Sequence, residues 1–381
     1  RKQPIGDIDI ATPDPPERVI QLLQDAGLKA IPTGIAHGTV TAIAEGRHFE
    51  ITTLRRDVET DGRHAKVAFT DDWEADAARR DFTINTLSCT PDGDIHDPFG
   101  GLEDLAHGIV RFVGNAEQRI DEDLLRILRF FRFYAACGRP PPNSDAVAAC
   151  RAAAPRILEL SAERLRDELL RILMAPNPAD TMVLMRGERI LDHLLPETGD
   201  VGRLRLLSWL ETSAIKMESV AADGLRRLAA LIDTDIAGAG AVAARLRLSN
   251  AETARLQAMA VPTATIDPEG GKTAARHVLQ RLGAAAVGDL ALLTWAGELA
   301  IDPRQPMERK QAWQNLLAMA AEWTPMELPV GGEDIVALGI PPGPRVGKLL
   351  GAVEAWWVEG DYQADRDTCL KTLETMARKA P

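Results

Sequence analysis

Asp7 and Asp9, within Gly6-Asp7-Ile8-Asp9-Ile10, are the first residues here whose type and spacing suggest chemistry. A strand alternates its side chains with period two. Read that way, the two acids share one face, and Ile8 and Ile10 pack the other way into a core. Two carboxylates held that close repel unless a cation sits between them. Mg²⁺ takes such hard oxygen ligands and shares them with substrate phosphates. The pair therefore suits metal-dependent phosphoryl or nucleotidyl transfer. Taken alone, an Asp-x-Asp is more often two acids on a solvated strand end.

Two further groups bear on that choice. Asp76-Ala77-Ala78-Arg79-Arg80-Asp81-Phe82-Thr83-Ile84-Asn85 gathers two arginines and an acid at an expected helix start. That arrangement suits a phosphate or a ribose, and equally a charged helix cap. Glu122-Asp123-Leu124-Leu125-Arg126-Ile127-Leu128-Arg129-Phe130-Phe131-Arg132 reads as one helix. Asp123 and Arg126, three apart, are then neighbours on a ridge that Arg129 and Arg132 continue. Most such ridges are salt-bridged solvated faces; here Phe130, Phe131 and Phe133 flank the arginines, which is unusual for a surface. A carboxylate accepts hydrogen bonds and a guanidinium only donates. Cytosine and adenine both present an amino donor beside a ring-nitrogen acceptor, whereas uracil and guanine reverse that order. An Asp/Arg pair facing a base would accept C and A, and would leave polar groups unpaired against U or G.

These groups need elements to position them. Pro16 to Ala26 reads as a helix closed by Gly27. Thr39-Val40-Thr41-Ala42-Ile43 and His48-Phe49-Glu50-Ile51-Thr52-Thr53 alternate around a Glu45-Gly46-Arg47 turn, a hairpin pattern. Phe49 and Ile51 are expected to face the core. Glu50 then points away, either joining Asp7 and Asp9 or standing exposed. The polar stretch from Arg55 to Asp72, centred on Asp61-Gly62-Arg63-His64, reads as a surface loop or lid, and His64 is the one histidine expected to serve function. Asp97-Pro98-Phe99-Gly100-Gly101 is a turn. Residues 1 to about 113 thus read as mixed α/β, and the chain from about Ala116 reads as helical, punctuated near Pro140–Pro142, Pro176–Pro178, Pro262–Gly271 and Pro341–Pro344. Ala237-Gly238-Ala239-Gly240 reads as a loop. The last clear helix runs from Arg345 to Trp357, with Val346, Leu349, Leu350, Val353, Trp356 and Trp357 on one face.

Composition sets outer bounds. The chain has 381 residues, 45% hydrophobic and 26% charged, enough for more than one domain and a sizeable core. The net charge of −12 argues against a large nucleic-acid footprint but not against local basic patches. Cys89, Cys137, Cys150 and Cys369 lack metal spacing and read as structural thiols in a reducing compartment. No apolar run reads as long enough to span a membrane, and no HD-type phosphohydrolase pattern appears. A cytoplasmic location is expected. Because the chain opens at Arg1 and enters its first strand at once, its natural N-terminus, with any targeting segment, is expected upstream. Nothing in the sequence specifies an oligomeric state.

Six motifs stand in order: Gly6-Asp7-Ile8-Asp9, Phe49-Glu50-Ile51-Thr52-Thr53, Arg79-Arg80-Asp81-Phe82-Thr83-Ile84-Asn85, Asp97-Pro98-Phe99-Gly100-Gly101, Glu122-Asp123-Leu124-Leu125-Arg126 and Ser161-Ala162-Glu163-Arg164. Together they resemble class II tRNA nucleotidyltransferases (CCA-adding enzymes) and the related bacterial poly(A) polymerases. The resemblance implies an α+β fold: a polymerase-β-like nucleotidyltransferase head (1–113), then an all-helical neck (114–176), body (177–300) and tail (301–381). It implies a catalytic set of Asp7, Asp9 and Glu50, with Asp7 and Asp9 holding two Mg²⁺ ions. It implies that Arg80 and Asp81 contact ribose and phosphates, that Asp123 and Arg126 template the base, and that Arg129 and Arg132 help hold the nucleotide. Residues 55–72 match the family's flexible loop, and Glu163 and Arg164 would tie a helical turn beneath the template. Gly343-Pro344-Arg345-Val346-Gly347-Lys348 resembles the family's tail segment. Arg345 and Lys348 there are candidates for RNA phosphates or for simple helix capping. The family's Gly-Gly-x-Val-Arg-Asp segment, which meets the triphosphate, would lie before Arg1.

The implied partners are the tRNA 3′ end, ATP and CTP, and the implied activity is addition of C, C and A. Poly(A) synthesis, or addition of CC or A alone, shares the head motifs. An inactive RNA-binding protein on the same fold is the alternative from another class.

Overall fold

The computed structural model describes residues 7–61 and 64–379 and divides into two compact units, 1–196 and 197–381. The first unit opens with a four-stranded sheet. Its strands are β1 (Asp9–Thr12), β2 (Lys29–Gly34), β3 (Thr39–Ala44) and β4 (Arg47–Thr53), in spatial order β1-β4-β3-β2. Helix α1 (Pro16–Asp25) has Pro16 in its first turn and ends at Ala26, with Gly27 at φ +72°; it packs over β2, β3 and β4. β3 and β4 form the expected hairpin, with Glu45 and Gly46 both at positive φ, as a tight two-residue turn requires. β1 lies at the edge, parallel to β4. Ile8 and Ile10 do not enter a core as their alternation suggests: they are 46% and 40% exposed.

Arg55 to Asp72 is not a loop. It forms a second antiparallel pair, β5 (Arg55–Asp61) and β6 (His64–Phe69). Gly62 and Arg63, the middle of the expected lid, lie outside the described residues. Helix α2 (Trp73–Ala78) follows, capped by Asp72, whose side chain accepts from the Glu74 and Ala75 amides. Arg79 and Arg80 thus stand at a helix end rather than a helix start. A 3₁₀ turn (Thr83–Asn85), the short pair β7 (Ser88–Cys89) and β8 (Ile95–His96), and α3 (Gly101–His107) complete this part. Asp97 accepts from the Gly101 and Leu102 amides at 2.7 and 2.9 Å. Gly100 is at φ +74°, and a Cβ on Gly101 would run into the Thr83 carbonyl, which accounts for both glycines of the turn.

Helices α4 (Ala116–Glu122), α5 (Leu125–Cys137), α6 (Ser144–Ala153), α7 (Ala162–Leu173), α8 (Pro178–Gly187) and α9 (Ile190–Leu194) finish the first unit. Phe82 and Phe112 pair across a β-bridge and pack on Phe130, joining α5 to the preceding part. Phe130 and Phe131 are fully buried, so they are core and not an aromatic surface.

The second unit is helical: α10 (Gly202–Trp209), a π turn (Leu210–Ala214), α11 (Gly224–Leu231), α12 (Ile236–Arg245), α13 (Asn250–Ala260), α14 (Gly271–Leu282), α15 (Ala284–Ile301), α16 (Met307–Ala321), α17 (Gly332–Ala337), α18 (Pro344–Glu359) and α19 (Arg366–Lys379). Ala237–Gly240 is helix, not loop. Asp235 caps it through the Gly238 amide, and the small residues let α12 sit close to α13, where a Cβ on Gly240 would meet Gln257 at 3.2 Å. Among the described residues α15 is, by length and composition, apolar enough to cross a membrane, which amends the reading that no run is long enough. Half of it is buried within this unit, and its Asp289 pairs with Arg226 and Arg255, so here it serves as a core helix. Leu349, Val353 and Trp357 of α18 bury against a core that includes Cys369 and Leu373 of α19, a helix beyond the last one expected.

Candidate active site

The register of the sheet places Asp9 directly beside Glu50, and Glu50 opposite Thr41. Register partners point to the same face, so one carboxylate from each of two adjacent strands stands together. Asp7 comes two residues earlier, ahead of β1, and is exposed. Among the described residues none of these three carboxylates carries a hydrogen bond or an ion pair. No group of three or more His, Cys, Asp or Glu among those residues forms a ready-made metal cage. Carboxylate oxygens are the hard donors that Mg²⁺ uses when substrate phosphates and water complete its shell. The residues fit that ion.

One cleft of about 1,490 Å³ gathers Asp9 and Glu50 from the strands, Arg80 and Asp81 after α2, and Asp123, Arg126 and Arg129 from the α4–α5 region. Asp7 adjoins the lining residue Ile8 but is not itself in the lining, and neither is Arg132. Arg132 instead pairs with buried Glu168 at 3.1 Å and lies over the Phe133 ring at 4.6 Å. Its burial pushes the guanidinium pKa down, against the pull of the Glu168 charge. Arg345 and Lys348 are in the other unit, in the first turns of α18; Arg345 donates to the Ala377 carbonyl at 3.3 Å.

Asp76, at the buried side of α2, organises the arginine pair. Its Oδ1 accepts from Arg79 at 2.7 Å and from the Arg55 amide at 3.1 Å; its Oδ2 accepts from Arg80 at 3.2 Å. Burial raises the Asp76 pKa, but the Arg79 charge and these hydrogen bonds outweigh it and leave the carboxyl below its ordinary value. Arg80 keeps an exposed face toward the cleft. Asp81 is buried: Oδ1 accepts from the Phe82 amide and from Asn85 Nδ2 at 2.8 Å, and Oδ2 from Arg129 Nε at 2.6 Å. Its oxygens are thus already occupied by Asn85 and Arg129, which it orients at the cleft wall.

Asp123 is not inside a helix. The chain breaks there at φ −154°, and Asp123 Oδ1 accepts from the Leu125 amide at 3.0 Å, capping α5. Oδ2 accepts from Arg164 Nη2 at 2.7 Å, which brings Arg164 into the cleft. Sequence reasoning placed Arg164 only beneath this turn. Arg126, one position into α5, donates through Nη1 to Glu122 at 2.5 Å and to the Arg119 carbonyl at 2.8 Å; its Nη2 has only a long contact, 3.4 Å, to the Arg79 carbonyl. Each Asp123 oxygen retains a lone pair, and Arg126 retains donors. Asn85, Phe133 and Cys89 also line the cleft. Asn85 had a signal in its motif and Phe133 in its place beside the neck arginines, whereas Cys89 had none that separated it from ordinary surface.

An α+β head with paired strand carboxylates, opening on an arginine-rich cleft closed by helices, defines a nucleotidyltransferase class of protein. Residues 1–111 match the poly A polymerase head domain, and residues 143–200 match a probable RNA and SrmB-binding site of polymerase A. The mitochondrial CCA tRNA nucleotidyltransferase 1 of Danio rerio is 33% identical over 96% of this chain and 82% of its own length. The CCA-adding enzyme of Streptococcus sanguinis is 32% identical over 98% of this chain and 90% of its own. The solved structure of the Bacillus stearothermophilus CCA-adding enzyme in complex with CTP superposes with a TM-score of 0.76, at 28% identity, covering 99% of this chain and 90% of that one. The chain belongs to the CCA-adding enzyme (CCA tRNA nucleotidyltransferase) family.

Proposed function

We propose that this protein adds C, C and A to the 3′ end of tRNA from CTP and ATP, with Asp7, Asp9 and Glu50 as its catalytic carboxylates and Mg²⁺ as its metal. The observation that carries the reading is the single cleft holding Asp9, Glu50, Arg80, Asp123 and Arg126. Bound at Asp7 and Asp9, Mg²⁺ would activate the RNA 3′-hydroxyl and neutralise the triphosphate. The remaining roles fall to the protein's own side chains. Arg80, steadied by Asp76, binds phosphate or ribose, and Arg129, steadied by Asp81, closes the same wall. Asp123 accepts from the amino group of C or A while Arg126 donates to the ring nitrogen beside it. A reversed base leaves both unpaired in a confined site, which is costly.

Arg345 and Lys348 on α18 are proposed to meet tRNA phosphates, and the division into head, neck, body and tail goes with the same reading. The relatives named above include a mitochondrial and a bacterial enzyme, and a cytoplasmic location goes with the same reading.

Labelled CTP or ATP and a tRNA ending at its discriminator base test the reading. Incorporation should depend on Mg²⁺ and fall by about 10³-fold in Asp7→Ala or Asp9→Ala, with far-UV and thermal signatures unchanged. Retained activity in either variant would refute the carboxylate assignment.

A further inference from the structure

Behind the cleft stands Arg119, which belongs to none of the motifs above and to neither matched family segment. Its side chain reaches three elements. Nε donates to the Val113 carbonyl at 3.0 Å, Nη2 donates to the Ala78 carbonyl, and Nη1 donates to Glu122 Oε2 at 2.8 Å. The same Glu122 oxygen takes Arg126 Nη1 at 2.5 Å, and Arg126 also donates to the backbone carbonyl of Arg119. Two guanidiniums are thus seated side by side on one carboxylate oxygen, beside the backbone carbonyls of Ala78 and Arg79. Those carbonyls lead directly into Arg80. Arg119 and Glu122 are mostly buried, and neither lines the cleft.

We infer that Arg119 is a positioning residue for base selection: it anchors Glu122 to the head and through Glu122 sets the Arg126 guanidinium. The planar, five-donor fork of arginine spans the three acceptors at once, whereas lysine, a point charge, satisfies one or two of them. Without the fork, Arg126 keeps Glu122 but Glu122 loses its tie to Ala78 and Val113. A misplacement of about 1 Å matters at a site that must match a base edge. The inference rests on Arg126 reading the base.

The test measures kcat/KM for CTP, ATP, UTP and GTP, and KM for the tRNA primer, in full-length wild type, Arg119→Lys, Arg119→Ala, Glu122→Gln and Arg126→Ala. Arg119→Lys is expected to lower kcat/KM for CTP and ATP by about tenfold and to narrow discrimination against UTP and GTP, with primer KM within about twofold. Glu122→Gln should behave alike. Adding Arg119→Lys to Arg126→Ala should cost little more than Arg126→Ala alone, because the two act through one group. Equal losses for all four nucleotides in Arg119→Lys, with discrimination intact, would make Arg119 a structural brace and overturn the inference, as would full additivity in the double variant. If Arg126→Ala itself keeps wild-type discrimination, the base-reading assignment fails, and that result is distinct from a failure of Arg119 alone. Arg119→Lys retains the charge and long side chain, so it carries the test if Arg119→Ala does not fold.

Discussion

Asp123 shows how much of this chain's chemistry sits in one side chain's hydrogen bonds. Its extended backbone ends α4, one oxygen accepts from the Leu125 amide at the start of α5, and the other is held by Arg164. The acid is therefore fixed in orientation by the fold itself, as the proposed template role requires. Asp123→Ala removes a helix cap as well as an acceptor. It should cost about 1 kcal/mol of stability, and it should damage base choice far more than tRNA binding. Arg126→Ala should show the same selectivity loss without the capping cost. Selectivity against UTP and GTP that survives both changes, read from single-nucleotide incorporation, would remove the template role from this pair. Asp81, bound by Asn85 and Arg129, should act differently: Asp81→Asn would loosen Arg129 and raise KM for both CTP and ATP rather than alter the choice between them.

Among the elements, the Asp97 turn and the β3–β4 hairpin were legible because each binds within a few residues of itself, whereas the Asp76–Arg80 stretch showed its charges but read as a helix start when it is a helix end. The break between α4 and α5 was not legible, because Leu124, Leu125, Ile127 and Leu128 keep an unbroken apolar pattern across it. The β5–β6 pair was hidden by its polar composition, and α12 by glycines that mark close packing against α13. Arg119 gave no signal because its partner at Ala78 is 41 residues away.

Gly101→Ala should destabilise the first unit by about 2 kcal/mol or more, since the intruding Cβ meets backbone at Thr83; a denaturant midpoint equal to wild type would contradict this. Glu122 is pushed up by burial but drawn below its ordinary value of 4.5 by hydrogen bonds from Arg126 and Arg119. A depressed carboxylate stabilises the fold above its unfolded pKa and loses that contribution as pH falls through the folded one. The stability gap between wild type and Glu122→Gln should therefore be full at pH 6 and shrink below about pH 4.5, as read from urea titrations.

For the whole molecule, acidic overall charge and a nucleic-acid substrate are reconciled if cations are concentrated where phosphates lie. Arg345→Ala with Lys348→Ala should weaken tRNA binding, reduce its salt dependence by about two phosphate contacts, and leave nucleotide discrimination unchanged. A broad loss of base choice in that variant would place the tail in the cleft's chemistry instead. In the proposed reaction the strand carboxylates and the α4–α5 pair act on one nucleotide in one cleft to build a defined end. Sequencing the product that the full-length protein makes on a tRNA ending at its discriminator base, given Mg²⁺ and all four triphosphates, shows whether they do. Two C residues and one A, followed by arrest, are expected. A long A-tail, random extension, or no extension by folded protein would contradict the proposed reaction.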